Sequence, residues 1–519
     1  MGTAPLVLTF DLGTQSVRAM IFDDEGNLLA IAKVKYEEVF FSTQPGYAEQ
    51  HGDFYWTRLC RASKEVAAAY PALMARVGAV CVTTIRDTCV ALDREGNCVR
   101  PVILFMDNRQ AVCATRNAPL KARLALRLVG MTNTVEIQRR ITKSNWIKEA
   151  EPQNWQKTYK YAMISGFITH RMTGSWRDSA ASQVGHVPFD SKRFDWQKPG
   201  HMLHWVYDIP RDKLMDLVPA GDLIGHITDG AAAATGIPAG TPVIAGGSDK
   251  GCESIGTGVL DDTGASLSFG TMASVQLFSE RYVEPIKYLP PYPALVPNAY
   301  NLEIQIYRGF WMLTWFIREF AEKEKAEAAA RGITPEEVLN EKMAAIPPGS
   351  EGLMLQPYWS PSLKDPVSRG SVIGFSDVHT RLHLYRAILE GIGYGLMEAL
   401  FDMQKRSGYT VKSLTVSGGG AQSPAVCQLI ADMFGLPVYG VQTSETSGLG
   451  AAMTAFVGLR RYPTVRAAAM HMVHRAAPYT PNAVIHEIYH NLFHKVYRKI
   501  YPKLRPLFSD MTRLLPRET

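Results

Sequence analysis

Three short segments of the chain gather acids, hydroxyls and glycines in patterns that suit phosphate chemistry. The first is Leu8-Thr9-Phe10-Asp11-Leu12-Gly13-Thr14-Gln15-Ser16-Val17-Arg18. A carboxylate leaves the end of an apolar strand, and a Gly-Thr bend follows that exposes backbone N–H groups and hydroxyls. Such a bend can wrap a phosphate while Asp11 holds a hydrated Mg2+. An ordinary β-hairpin with Asp11 capping its turn accounts for the segment equally well. The second segment, Gly246-Gly247-Ser248-Asp249-Lys250-Gly251, sets Asp249 where a strand gives way to a helix. Asp249 reads either as a helix cap or as a general base at the floor of a cleft, its backbone open to close approach between glycines. The third is Val416-Ser417-Gly418-Gly419-Gly420-Ala421-Gln422-Ser423-Pro424. Its triglycine turn lets a flat or anionic ligand lie against backbone at a helix N-terminus, although a plain tight βα turn has the same composition. The chain has neither a Rossmann fingerprint nor the Gly-Lys-Ser/Thr of a P-loop.

The elements that must carry these segments follow from hydrophobic patterning. Strands are expected at 6–10, 16–22, 28–34, 77–84, 102–105, 241–245, 266–269, 273–278 and 413–417. Helices are expected at 109–130, 143–173 (stopped by Gly174), 250–255, 311–328, 335–345, 380–405 and 423–434. Residues 285–297 are proline-rich and read as an irregular loop, and 489–501 as a surface-docked terminal helix. Ser268-Phe269-Gly270-Thr271-Met272-Ala273-Ser274 echoes the first Gly-Thr bend. Each bend opens a comparable half of the chain, which suggests two similar α/β halves facing each other across a cleft.

Composition narrows the class. The 519 residues are 46% apolar and 20% charged, enough for two to four domains with proper cores. Lys and Arg total 55 against 49 Asp and Glu, a surplus too thin to point to a nucleic-acid partner. Seven cysteines, five of them before residue 114 and none in a CxxC pair, predict reduced thiols in a cytoplasmic protein. No apolar run reaches the roughly 18 residues of a membrane span. No basic region precedes the short apolar stretch 5–10, and Leu6 stands where a myristoylation start needs Ser or Thr. His186, His201 and His204 lack metal-ligand spacing. Residues 470–474 read as core packing, and Lys495, Arg498, Lys499, Lys503 and Arg505 as a solvated helix face.

Taken in order, Asp11, Asp249, the Gly270-Thr271 bend and the triglycine turn resemble the FGGY carbohydrate kinases of the actin–hexokinase–Hsp70 group. Pro45-Gly46-Tyr47-Ala48-Glu49-Gln50 with Trp56 is similar to a family segment, as is Phe105-Met106-Asp107-Asn108-Arg109. So are 370–375 followed by 383–390, and Glu445-Thr446-Ser447-Gly448-Leu449-Gly450. The resemblance runs from about residue 6 to about 462. It implies two ribonuclease-H-like α/β domains flanking a central cleft: residues 1–255 for the sugar or polyol, 256–465 for ATP, and 466–519 as a terminal helical extension.

By the same resemblance Asp249 is the base that takes the proton of the attacking hydroxyl. Asp11, Gly13, Thr14, Ser16, Arg18, Gly270 and Thr271 hold the phosphates, with Mg2+ on Asp11 and, through water, on Asp249. Gly309, Gly419, Gly420, Ala421 and Pro424 face the nucleotide. Arg86, Asp87, Phe105, Asp107 and Asp249 face the acceptor, where an Arg–acid pair can hold vicinal hydroxyls. Xylulose kinases of the family carry Met-His at this point, which the chain lacks. Glycerol kinases carry Gln-Arg-Glu-Thr, close to Ile85-Arg86-Asp87-Thr88. Phe105 replaces the family's usual Trp, and Pro424 stands where glycerol kinases often place Asn. The expected partners are ATP or ADP and a ketopentose, glycerol or tetritol, with no nucleic acid or membrane and with room for a homodimer. A kinase of a linear hydroxy or dione signalling compound and a non-catalytic nucleotide-binding regulator are the alternatives; a base at Asp249 favours chemistry.

Overall fold

The structure, a computed structural model, describes residues 4–113, 124, 126–128, 130–360, 365 and 367–515. Two six-stranded sheets share the pairing of their central strands. The first has β1 (Leu6–Leu12), β2 (Ser16–Phe22), β3 (Leu28–Lys35), β4 (Val77–Thr84), β5 (Leu223–His226) and β6 (Pro242–Ile244), in the order β5-β6-β4-β1-β2-β3. The second has β7 (Gly264–Phe269), β8 (Ala273–Ser279), β9 (Tyr292–Pro293), β10 (Tyr300–Ile306), β11 (Ser413–Ser417) and β12 (Val438–Tyr439), in the order β9-β10-β8-β7-β11-β12. In each, the opening strand pairs antiparallel with the second and parallel with a later strand. The parallel strands end on one edge of their sheet, where open α/β sheets take ligands.

Residues of β1 alternate between two cores because the sheet is covered on both faces. Leu6, Leu8, Phe10 and Leu12 pack with α1 (Gly52–Ala69) and α2 (Ile164–Thr173). Val7 joins Met20, Phe22, Ala79 and Cys81 against two further helices, α3 (Asp249–Gly256) and α6 (Thr446–Gly458). The second sheet buries its apolar face against α4 (Arg381–Ser407) and α5 (Pro424–Phe434). The arrangement is reciprocal. Helix α3 follows the first sheet in the chain but hydrogen-bonds the second, while α6 follows the second sheet and packs on the first.

Helices α3 and α6 cross with their backbones touching. A Cβ on Gly256 would lie 2.0 Å from the Thr446 carbonyl oxygen, and one on Gly450 2.0 Å from that of Cys252. Only glycine fits there. Gly450→Val is expected to force the helices apart at a cost of about 1–3 kcal/mol or more. A lower unfolding midpoint followed by circular dichroism checks this, and an unchanged midpoint contradicts it.

Some expected elements are redrawn. The run 143–173 is interrupted: helices Lys143–Ala150 and Pro152–Lys157 precede a strand, Lys160–Met163, that pairs with Cys89–Leu92, and only then does α2 begin. Pro152 starts a new helix where its missing N–H costs nothing. Gly174 stops α2 in the left-handed conformation, as expected. Residues 109–113 are not helical, and most of the helix expected at 109–130 lies outside the described residues. The helix expected at 311–328 breaks at Ala321 into Trp311–Phe320 and Glu322–Arg331. The terminal helix is docked deeper than a surface element, since Tyr489, Phe493, Tyr497 and Ile500 belong to the second core. Residues 470–474 are only partly core: Met472 is buried, whereas Met470 is 75% exposed. Among the described residues no helix is long and apolar enough to cross a membrane.

Candidate active site

The carboxyl ends of β1, β4 and β6 bring Asp11, Arg86 and Asp249 together. Asp11 is the sixth residue of β1, and its carboxylate accepts a 2.7 Å hydrogen bond from Arg18 on β2. Arg18 also lies 3.2 Å from Glu445, which precedes α6, so the hairpin is tied to the second half. Burial pushes the Asp11 carboxyl up to about 6; Arg18 opposes that rise, and Asp249 and Glu445 add to it. Gly13 and Thr14 are half-buried at the bend and Ser16 is buried. On the other half Gly270 is half-buried and Thr271 exposed between β7 and β8.

Asp249 opens α3. The cap is Ser248, whose hydroxyl accepts from the Gly251 N–H, and Asp249 Oδ1 accepts from the Lys250 N–H at 2.7 Å. The sequence left open whether Asp249 is merely a cap; the capping hydroxyl is its neighbour's. The Asp249 side chain keeps 26% exposure and lies 3.5 Å from Arg86 Nε. Burial holds its carboxyl above the ordinary carboxylate value, against the pull of Arg86 and Lys250.

Arg86 and Asp87 do not pair with each other. Arg86 reaches across to β10, where Glu303 accepts from both Nη atoms at 2.6 and 3.2 Å, and its guanidinium lies over the Tyr292 ring. Burial disfavours its charge, but Glu303 and Asp249 outweigh that and hold its proton more tightly than usual. Asp87 sits at φ 49° and turns the other way, to Lys143 Nζ at 2.7 Å and His186 Nδ1 at 2.8 Å. Burial alone would raise its carboxyl, yet these two partners hold it well below the usual range. Asp107 is withdrawn from any cleft. It is gripped by the Arg109 side chain and by the Ala48 N–H, beside Glu49 and Arg100. Phe105 packs against the first core.

The nucleotide-side residues follow β7, β8 and β11. Gly419 and Gly420 lie in a one-turn helix, Gly419–Gln422, ahead of α5, which Pro424 begins at its first position. Gly420 rests on the Phe310 ring, Gly309 is buried against Ala273, and Ala421 packs at the margin of the second core. A Cβ on Gly419 meets nothing within 4 Å. Gly419→Val therefore adds bulk on a Cβ that meets no neighbour, and a Michaelis constant for ATP raised about tenfold at a little-changed unfolding midpoint is the expected result. An unchanged ATP constant would remove Gly419 from the nucleotide site.

Sequence reasoning missed Glu303, Lys143, His186, Lys250, Glu253 and Asn340. Asn340 donates to Ser423, the cap of α5, and accepts from Tyr385. Glu303 had a signal: Asn301, Glu303 and Gln305 alternate within β10 and mark a polar face. Lys250 and Glu253 are three apart on α3, one helical face. No comparable pattern pointed to Lys143 or His186. No group of three or more His, Cys, Asp or Glu among the described residues could cage a metal. One or two carboxylates suffice for Mg2+ that also binds phosphate oxygens, and Asp11, raised in part by the nearby Asp249 charge, fits that donor set together with Asp249.

Residues 6–256 match the N-terminal domain of the FGGY family of carbohydrate kinases and residues 265–459 its C-terminal domain. An uncharacterized sugar kinase of Escherichia coli K12, YgcE, is 28% identical over 468 residues, 90% of this chain and 87% of its own. A xylulose kinase of Lactococcus lactis is 26% identical over 483 residues, 92% of each chain. The crystal structure of a gluconate kinase from Lactobacillus acidophilus superposes with a TM-score of 0.83 at 20% identity, covering 98% of this chain and 100% of that one.

Proposed function

The chain belongs to the FGGY family of carbohydrate kinases, and on that premise we propose that it transfers the γ-phosphoryl group of ATP to a hydroxyl of a small neutral ketose or polyol, with Asp249 as general base. The observation that carries this reading is the meeting of Asp249, Arg86 and Glu303, one from the start of α3 and the others from opposite halves. The acceptor oxygen attacks the γ-phosphorus, its proton passes to an Asp249 oxygen, and the bond from that phosphorus to the β-phosphate oxygen breaks to release ADP. Such transfer needs in-line positioning and charge neutralisation more than covalent help. Asp11 and, through water, Asp249 would hold Mg2+, which neutralises phosphate charge when bound. Thr14, Ser16 and Arg18 in one half and Gly270 and Thr271 in the other would be the two grips on the phosphates.

The charge pairing favours a neutral acceptor. Arg86 is committed to Glu303, Lys143 to Asp87 and Lys250 to Glu253, so an anionic acceptor must break a pair to find a cation. Asp87 and Asp249 keep partly open carboxylates that can accept from hydroxyls. ADP release with Mg-ATP tests this over D-xylulose, D-ribulose, glycerol, erythritol and xylitol, with gluconate and other aldonates alongside. A higher kcat/KM for an aldonate overturns the charge argument. No release above the acceptor-free rate with any of them overturns the acceptor class.

A further inference from the structure

Helix α3 carries more than Asp249 into the site. Lys250 Nζ donates to Ser268 Oγ at 2.5 Å and to Glu253 Oε2 at 2.5 Å. Glu253, only 5% exposed, accepts in turn from Ser417 Oγ at 2.5 Å. Ser268 and Ser417 stand directly opposite each other on the parallel strands β7 and β11. Each is the last hydroxyl before a loop of the site: Ser268 precedes Phe269 and Gly270-Thr271, and Ser417 precedes Gly418-Gly419-Gly420. Farther from those loops on the same sheet, the hydroxyls of Ser266 and Thr415 have no protein partner. The helix thus takes up the two serines that end the strands, through one i,i+3 ion pair.

We propose that Lys250 and Glu253 are positioning residues that tie the helix bearing the base to both loops that hold the nucleotide. The two side chains are 14% and 6% exposed and pair at 2.5 Å, so removing either one leaves the other's charge buried without its ion-pair partner. That mutual dependence fixes the pair, and the pair fixes the separation of Ser268 and Ser417 relative to Asp249. A shift of either loop is thereby felt at the base, and a shift of the base is felt at the phosphates. The inference rests on the site reading given above.

Calorimetric titration with Mg-ADP tests it, because the stoichiometry reports the folded fraction while Kd reports the geometry of the site. Ser268→Ala and Ser417→Ala keep the ion pair and cut only its link to one loop. Each is expected to weaken Mg-ADP about three- to tenfold at full stoichiometry, and Ser417→Thr to restore binding. Glu253→Gln breaks the ion pair through which both links run, so it is expected to weaken Mg-ADP tenfold or more, and Ser417→Ala to add little on top of it. Binding within twofold of the parent in both serine variants overturns the inference, whatever the fate of Glu253→Gln. Gly419→Val separates the two readings. If it too binds Mg-ADP undiminished, the site assignment fails; if it alone loses binding, only the role of the Lys250–Glu253 pair fails.

Discussion

Asp249→Asn is expected to lower kcat by about 10²–10⁴-fold while leaving Mg-ADP binding within a few fold of the parent. Asparagine preserves the shape of the side chain and can still accept from the Lys250 N–H, so the start of α3 stays in place. What disappears is the capacity to take a proton from the attacking hydroxyl. The loss should therefore fall on kcat, with the Michaelis constant for ATP little changed. A variant that transfers phosphate nearly as fast as the parent would show that the base lies elsewhere.

The same residue sets the sign of the pH dependence. Burial raises the Asp249 carboxyl above the ordinary value of 3.8, with Arg86 and Lys250 limiting the rise. A base works only when deprotonated, so kcat/KM for the acceptor should fall as pH falls through this raised value. The acid limb is expected at higher pH than that of an unperturbed aspartate. The part of the limb due to Asp249 should vanish from the small residual rate of Asp249→Asn. Asp11, pushed up to about 6, contributes in the same direction, because a protonated Asp11 no longer offers a charge to Mg2+.

Much of the architecture is legible in the chain because local patterns are strong where strands are buried on both faces. The run Leu6–Phe10, apolar but for Thr9, and the repeated Gly-Thr bends mark two matching halves in the chain itself. Asp11, Asp249 and the triglycine turn are legible for a related reason, since each sits where a strand ends in glycine and a carboxylate or hydroxyl stands beside it. What stays hidden is pairing over distance. Arg86 and Asp87 are adjacent in sequence and look like one ion pair, yet the positive φ at Asp87 turns its side chain toward Lys143 and His186. Arg86 instead meets Glu303, a partner 217 residues away. At Asp107 the pairing is hidden for the opposite reason. Its motif is legible, but both of its oxygens are consumed by Arg109 and backbone within a buried cluster that includes Glu49 and Arg100.

Arg86→Ala is the variant on which sequence and structure part company. From the sequence alone it should raise the Michaelis constant for the acceptor and leave ATP almost untouched. In the structure Arg86 is 11% exposed and is forked onto Glu303, whose side chain is 1% exposed on the opposite half. Removing the arginine leaves a buried carboxylate that keeps, among the described residues, a hydrogen bond from the Gln305 amide and the more distant Lys250 charge, a cost of about 3–5 kcal/mol. The expected result is a marked drop in the unfolding midpoint and a rise in the Michaelis constants of both substrates. Glu303→Gln acts differently: it leaves Arg86 in place with Asp249 as its nearest remaining acid, so kcat should fall as the guanidinium draws the base into an ion pair. The double variant Arg86→Met/Glu303→Leu removes both charges, and an apolar replacement of a buried pair is often neutral for stability. It should regain most of the midpoint lost in Arg86→Ala while acceptor turnover stays depressed. A parent-like midpoint and ATP constant in Arg86→Ala would mean that the pair does not join the halves. Full recovery of the acceptor constant in the double variant would take Arg86 out of the acceptor pocket.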